Sequence, residues 1–277
     1  MCAPHIMQAV NRKLSRRDLL KSSLVGGAAL ASAALVRAQA QMSSAMLNTR
    51  NLADLTHTLN PSFPVFPGFD PMSIETLVTV ENDGFYANRW SLGEHTGTHM
   101  DAPAHFIAGA VTADKLELEQ LLAPLAVIDI SERAAQDPDA QLTLEDVEAW
   151  ESDNGELPPG VAVMMYSGWE QRLSDPESFL NADADGTLHF PGFDPEAAEF
   201  LVSERDIAGV GVDTLSLDYG ASQDFAAHVS VLGAGKWGLE NVANLSALPA
   251  VGAHLIVGGL KVENASGGPV RLIAAWG

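Results

Sequence analysis

The chain has 277 residues, of which 47% are hydrophobic and 18% charged, and its formal net charge is −21 at pH 7. So acidic a protein repels nucleic acid and anionic membranes, and neither is expected as a partner. Cys2 is the only cysteine, which excludes a disulfide framework and thiol chemistry in the folded domain.

The first 40 residues have the pattern of an export signal. Arg16 and Arg17 form a twin-arginine pair, and a weakly apolar run from Leu24 to Val36 follows them. That run is shorter than the roughly 18–20 residues of a membrane-spanning helix. The small-residue stretch 38–40 then resembles a cleavage site. We expect residues 1–40 to be a signal peptide that uses the twin-arginine route. An uncleaved membrane anchor is the alternative.

The remaining chain, residues 41–277, would be periplasmic or secreted. It keeps nine basic and 35 acidic residues, for a formal charge of −26. No later apolar run reaches the length of a membrane span, so we expect no stable membrane association after cleavage. Its 237 residues show no Pro/Gly-rich linker, and a chain of this length fits one domain.

Short strand-like runs follow one another along this part of the chain. It opens on NPSFPVFPGFDP (60–71), which fits no regular element and is expected to lie across the surface or at the rim of a pocket. Several of the later runs are continuously apolar, as in strands buried on both faces. The predicted strands are 74–80, 86–92, 125–130, 161–167, 207–212, 254–262 and 270–276.

Two helices between these strands have clear starts. Thr143 and Asp146 form a capping pattern ahead of LEDVEAWE. Asp194 and Pro195 provide a cap and a first-turn proline for PEAAEFLVSE. Strands separated by such helices predict an α/β protein, a single domain with a mixed β-sheet and flanking helices.

The stretch HTGTHMDAPAHF, residues 95–106, predicts a metal site. Its ligand-type side chains have the same parity: His95, His99, Asp101 and His105. An extended chain would place them on one face but would separate the first two by about 13 Å. Because one ion needs nitrogen ligands near 2.1 Å, the chain must bend, and Gly97 permits a bend. Imidazole and carboxylate donors without thiolate favour Zn²⁺ or Mn²⁺.

The same stretch matches H-x-G-T-H-x-D-x-P-x-H-F, the signature of the cyclase family of metal-dependent hydrolases, at every fixed position. Bacterial kynurenine formamidases and isatin hydrolases belong to this family. With the signature, three further segments that resemble the family cover most of residues 51–277: DLTHTLNPSFPVFPG, GVDTLSLD and HVSVLGAGKWGLENVANL.

The resemblance implies a set of metal ligands. His95, His99 and Asp101 would bind the first ion. In the binuclear formamidases Asp101 would also bridge to a second ion, whose site His228 and Glu240 would complete. The isatin-hydrolase branch is usually described with a single manganese ion. We therefore expect one or two divalent ions, zinc or manganese, as cofactors.

The resemblance also implies that His105 is the catalytic acid/base rather than a ligand. Phe66 and Trp90 are candidates for substrate binding, because aromatic rings near a site favour a flat apolar substrate. We expect a metal-dependent hydrolase that uses activated water to cleave an amide C–N bond of a small aromatic substrate. Arylformamides such as N-formylkynurenine and cyclic amides such as isatin both fit.

The sequence also leaves open a function other than catalysis. A periplasmic metal- or small-ligand-binding protein without turnover would use the same ligands, and His105 would be dispensable in it. Members of the family are generally oligomeric, so the resemblance further implies a homo-oligomer.

Overall fold

Eight strands lie side by side in one mixed sheet. The computed structural model describes residues 50–277, and the predicted signal peptide lies outside them. The strands are β1 (Asn51–Asp54), β2 (Ser73–Val78), β3 (Ala87–Ser91), β4 (His99–Asp101), β5 (Leu122–Asp129), β6 (Gln141–Leu142), β7 (Val161–Tyr166), β8 (Gly192–Phe193), β9 (Ile207–Val212), β10 (Trp237–Glu240), β11 (Ala253–Gly259) and β12 (Gly267–Trp276). The helices are α1 (Val80–Asp83), α2 (Ser131–Ala134), α3 (Leu144–Asn154), α4 (Pro176–Leu180), α5 (Pro195–Ser203) and α6 (Ala226–Gly233).

The eight-stranded sheet closes on itself. Its strand order is β1-β12-β11-β5-β7-β9-β10-β4, and β4 pairs with β12 as well as with β10. The pairs β5–β7, β7–β9 and β9–β10 are parallel, and the other pairs of this sheet are antiparallel. The predicted single α/β domain with a mixed sheet and flanking helices is confirmed. The ring that β4 completes makes the sheet barrel-like.

The strands separate two apolar cores. Along β5 and β7, successive side chains point to opposite faces of the sheet. Leu125 and Met164 lie in the core inside the ring, whereas Ile128 and Met165 lie in the core beneath α3 and α5. Because both faces are buried, these strands are continuous apolar runs rather than alternating ones.

Strand β10, which carries a predicted metal ligand, is anchored by its first residue. The Trp237 side chain is fully buried inside the ring, and its Nε1 donates a hydrogen bond to Gln120 O at 2.9 Å. A Cβ on Gly209 of the neighbouring β9 would lie 2.2 Å from the indole ring. Glycine is therefore needed in β9 so that the indole fits and β10 can pair there.

Both predicted helix starts are present. Thr143 Oγ1 accepts a hydrogen bond from Asp146 N at 3.3 Å, and the Asp146 carboxylate accepts one from Thr143 N at 2.8 Å, which together cap α3. Asp194 Oδ1 accepts a hydrogen bond from Glu196 N at 2.8 Å at the start of α5. Within residues 50–277, no helix combines the length and apolar character needed to cross a bilayer.

Candidate metal centre

A sharp turn ahead of β4 brings the first two histidines together. Gly97 has a φ of +70°, a left-handed conformation that glycine adopts without strain. A Cβ at this position would also lie 2.8 Å from Leu59 Cδ1. The turn places the rings of His95 and His99 with centroids 5.2 Å apart. The predicted bend at Gly97 is confirmed.

Strand pairing brings the next ligand candidate to this turn. In the antiparallel pair of β4 and β10, His99 lies directly opposite Glu240, and Asp101 lies opposite Gly238. His99 Nε2 is 3.3 Å from Glu240 Oε2 and 3.3 Å from Asp101 Oδ1. Two residues that are 141 positions apart in sequence thus become neighbours through the closure of the ring.

The fifth ligand candidate, His228, enters from helix α6. Asp218 accepts hydrogen bonds from Ala227 N at 2.8 Å and from His228 N at 3.2 Å, and its Oδ2 lies 2.6 Å from His228 Nδ1. With Nδ1 held by Asp218, the other ring nitrogen, Nε2, faces Asp101 and Glu240. His228 Nε2 lies 3.1 Å from Glu240 Oε1 and 3.4 Å from Asp101 Oδ2. A carboxylate that holds a histidine in this way is typical of metal ligands.

The predicted ligands therefore converge on Asp101, whose carboxylate is fully buried. Its Oδ1 lies 2.6 Å from His95 Nδ1. His99 Nε2 and Asp101 Oδ2 are buried and form no hydrogen bond within residues 50–277. Side-chain nitrogen and carboxylate oxygen atoms this close together, with two of them unsatisfied, fit a divalent cation of the zinc or manganese kind.

The two buried carboxylates of the site, Asp101 and Glu240, are stable in their charged form only beside positive charge. Burial disfavours the charged form of His99, but Asp101 and Glu240 outweigh it and raise its pKa to about 10. Burial also opposes ionisation of Asp101, yet the surrounding imidazoles, His99 foremost, hold its pKa well below the ordinary value. Protons on the imidazoles or a bound cation can supply the charge that the carboxylates require.

His105 lies at the edge of this group. Its ring stacks on that of His95 with centroids 3.6 Å apart and an interplanar angle of 21°. Burial lowers its pKa, which favours the neutral form that can accept a proton. A nitrogen of His105 also lies within 4.8 Å of ligand atoms of His95 and Asp101. The position fits either an acid/base or a ligand, so its predicted role stays a prediction.

A small cavity of about 170 Å³ opens onto these groups. Besides the histidines and Glu240, four phenylalanines line it: Phe66, Phe69, Phe106 and Phe225. The Phe106 ring stacks on His228 at a centroid distance of 4.6 Å. The proline- and aromatic-rich opening segment thus lies at the rim of the cavity, and it places Phe66 where the sequence predicted a substrate-binding ring.

The structure places the other predicted substrate-binding residue, Trp90, elsewhere. Within residues 50–277, strand β3 pairs only with β2, in a hairpin outside the main sheet, where Trp90 lies opposite Ile74. Its side chain is 64% exposed and lines a separate groove of about 510 Å³. Trp90 precedes His95 by only five residues in sequence, but the chain turns between them.

Two residues that contact the ligands were not among the sequence candidates. Asp218 ends the segment GVDTLSLD, and nothing local marks it as the partner of His228. Ser266 Oγ lies 2.9 Å from His95 Nε2 and donates a hydrogen bond to Glu94. That contact joins residues 171 positions apart in sequence, and only the pairing of β4 with β12 creates it.

Comparison with known proteins agrees with this geometry. The Cyclase family model matches residues 53–219, which include the turn at Gly97 and Asp101. The chain belongs to the cyclase family. A match of this length covers more than half of the sequence, so the resemblance predicted from residues 95–106 is confirmed.

Relatives in the cyclase family include two kinds of enzyme. An isatin hydrolase of Roseibium aggregatum is 39% identical over 240 residues, which are 80% of this chain and 90% of the relative. A kynurenine formamidase of Bacillus mycoides is 29% identical over 228 residues, 82% of this chain and 98% of the relative. The solved structure of isatin hydrolase A from Labrenzia aggregata, bound to benzyl benzoate, has a TM-score of 0.78 and 37% identity, covering 88% of this chain and 99% of that one. The prediction of an amidohydrolase-type enzyme is confirmed.

Proposed function

We propose that this chain is a metal-dependent hydrolase that opens the ring of a cyclic aryl amide of the isatin type. The observation that carries the proposal is the convergence of three imidazoles and two carboxylates beneath a cavity lined by four phenylalanines. The identity of 39% to an isatin hydrolase, against 29% to a kynurenine formamidase, supports the cyclic amide over the formamide.

His95, His99, Asp101, His228 and Glu240 would hold the metal, and the Glu240 carboxylate contacts both His99 and His228. When bound, a divalent ion lowers the pKa of coordinated water and polarises a carbonyl oxygen. The two oxygens of Asp101 face different partners, Oδ1 toward His95 and His99 and Oδ2 toward His228. We propose that these residues would hold one or two ions, zinc or manganese.

His105 would carry out the proton transfers of the reaction. Amide hydrolysis forms a C–O bond from water and breaks the C–N bond, so the leaving nitrogen must gain a proton. A neutral imidazole of His105 can accept the proton that the water loses and deliver it to that nitrogen. In a cyclic amide the amine and the carboxylate remain on one molecule, so one product leaves the cavity.

The phenylalanines would select a flat aromatic substrate. Aromatic rings pack favourably in offset or edge-to-face arrangements, worth about 0.5–1.5 kcal/mol per pair beyond the apolar area that they bury. A cavity of about 170 Å³ also excludes large or polymeric amides. An arylformamide is the second candidate, because the pair His228 and Glu240, which the resemblance associates with the binuclear formamidases, is present and in place.

We also propose that the enzyme works outside the cytoplasm. Arg16, Arg17 and the apolar run after them support export, although they lie outside the described residues. An exported enzyme fits the removal of an environmental aryl amide better than tryptophan breakdown, which is normally cytoplasmic. Replacing both arginines by lysine should retain the protein in the cytoplasm, as fractionation would show.

Hydrolysis of isatin and of N-formylkynurenine, followed by absorbance with the purified protein, tests the proposal. Ring opening of isatin that a chelator abolishes and added Mn²⁺ or Zn²⁺ restores is the expected result. Faster turnover of the formamide would favour the second candidate. Tight binding of either compound without turnover would contradict both and favour the binding-protein alternative.

A further inference from the structure

Side-chain hydrogen bonds connect β4 and β10 beyond the point where their backbone pairing ends. The pairing of β4 with β10 ends at His99 and Glu240. The next residue of β10's chain, Asn241, has a φ of +54° and turns away. Across this break, Thr98 Oγ1 donates a hydrogen bond to Asn241 O at 2.6 Å, and Asn241 Nδ2 donates one to Gly97 O at 3.0 Å.

Both side chains are buried, so their hydrogen bonds are shielded from competing water. Thr98 is 3% exposed and Asn241 1% exposed. Thr98 Oγ1 also accepts a hydrogen bond from His57 N at 3.0 Å. A buried polar side chain that loses its partner leaves an unsatisfied group, which destabilises the folded protein. The hydrogen bonds of Thr98 and Asn241 therefore fix the turn at Gly97 relative to the end of β10.

The carbonyl that Asn241 binds belongs to the turn that positions His99. Gly97 O accepts a second hydrogen bond from His99 Nδ1, at 2.8 Å. With Nδ1 engaged in this way, His99 presents Nε2 to Asp101 and Glu240. A partner that fixes the tautomer and the ring orientation of a ligating histidine tunes metal binding.

We propose that Asn241 and Thr98 are positioning residues that join the two ligand segments and fix the His99 tautomer. The inference rests on the proposed metal-dependent function, because it assigns this pair a role in holding the ligands named there. It goes beyond the ligand set named there, to which neither residue belongs.

Asparagine suits this position for two separable reasons. It tolerates the left-handed backbone better than most residues, and its amide nitrogen reaches Gly97 O. Glycine at 241 would keep the first property and lose the second. Aspartate would keep both the shape and the backbone tolerance but would present an acceptor to a carbonyl oxygen.

The chain offers a matched control in Asn244. It also has a left-handed backbone, with a φ of +57°, and its Nδ2 donates a hydrogen bond to a backbone carbonyl, Asp54 O, at 2.8 Å. That bond is exposed and lies outside the ligand group. Asn244→Gly therefore reproduces the loss of an asparagine side chain at such a backbone without touching His99.

The test measures metal affinity by competition with a chromophoric chelator, using metal-stripped full-length protein and Mn²⁺ or Zn²⁺. Asn241→Gly should raise the Kd roughly 10- to 100-fold, and Asn241→Asp at least as much, while Asn244→Gly keeps the wild-type Kd. The melting temperature of the metal-free protein is recorded alongside. A variant that melts lower but keeps the wild-type Kd has lost only structural support, and that result overturns the proposal.

Thr98 provides an independent arm if the Asn241 variants do not fold. Thr98→Val keeps the shape and removes the hydroxyl, and should also raise the Kd. Thr98→Ser restores the hydroxyl and should return the Kd toward that of the wild type. Equal Kd values for the valine and serine variants contradict the proposal. Wild-type protein that binds the ion but hydrolyses no aryl amide contradicts the proposed function alone, since metal affinity is measured without substrate.

Discussion

At the scale of single residues, a variant of His105 can distinguish the loss of proton transfer from the loss of metal binding. Its ring lies on that of His95, so a lost imidazole could in principle remove either function. His105→Ala should lower turnover by roughly 10²–10⁴-fold, the usual contribution of a general acid–base group. Metal content, measured by elemental analysis, should remain at the wild-type level.

His254→Ala is the control for this variant, because His254 is an exposed residue of β11. It should change neither quantity. A His105→Ala protein that loses its metal together with its activity would show that His105 is a ligand, and the acid/base role would have to be abandoned.

The candidate ligands that could be found from sequence are those whose signal is local. The even spacing of His95, His99 and Asp101, together with Gly97, predicted that these side chains lie around a bend. His228 and Glu240 came from a resemblance to a family, and no spacing argument would have joined them to the first segment. Asp218, which orients His228 across ten residues, could not be predicted because carboxylates are common on an acidic chain.

At the scale of elements, long apolar runs were predictable and short strands were not. The predicted run 207–212 coincides with β9, which is buried on both faces. Strand β4 has three residues, His99–Asp101, too few for an alternating pattern to identify it as a strand. It is a strand because β10 and β12 flank it, and this tertiary context closes the sheet. Trp90 was misplaced for the same reason, since the sequence does not show that β3 leaves the main sheet.

Asp213, just after β9, makes a pH-dependent contact between neighbouring parallel strands. Its carboxylate accepts hydrogen bonds from Ser167 N and Oγ and from Trp169 N, after the end of β7. Burial outweighs these donors and raises the pKa of Asp213 to about 6 from an ordinary value of 3.8. The folded protein therefore keeps this proton to a higher pH than the unfolded chain does. The resulting stabilisation is complete below about pH 4 and is lost as the pH rises to about 6.

Asp213→Asn removes this titration. The free energy of unfolding of the wild type, minus that of the variant, should fall by about 2 kcal/mol between pH 4 and pH 6.5. Urea unfolding across this range measures it. Asp146→Asn is a control that should show almost no change over this range, because Arg133 and Thr143 outweigh burial and lower the pKa of Asp146 below its ordinary value of 3.8. A wild-type-minus-variant difference for Asp213 that does not vary with pH would contradict the account.

At the scale of the whole molecule, a second groove offers a surface at which the expected homo-oligomer can be tested. It lies between the β2–β3 hairpin and the turn from β11 to β12, and Trp90 and Leu260 on its lining are 64% and 77% exposed. Monomeric proteins rarely expose large contiguous apolar patches. We propose a homo-oligomer, as the resemblance to the cyclase family implies. Light scattering should give a multiple of the monomer mass, and Trp90→Glu should shift it toward one chain. A monomeric wild type at micromolar concentration would contradict this.

In the proposed mechanism, the imidazoles and carboxylates around Asp101 hold a divalent ion without which no amide is cleaved. Metal-stripped protein titrated with Mn²⁺ or Zn²⁺, with isatin ring opening read at each step, tests it most directly. Turnover should rise from zero and reach a plateau at one or two ions per chain. Turnover at the full rate in the metal-free protein would contradict the account.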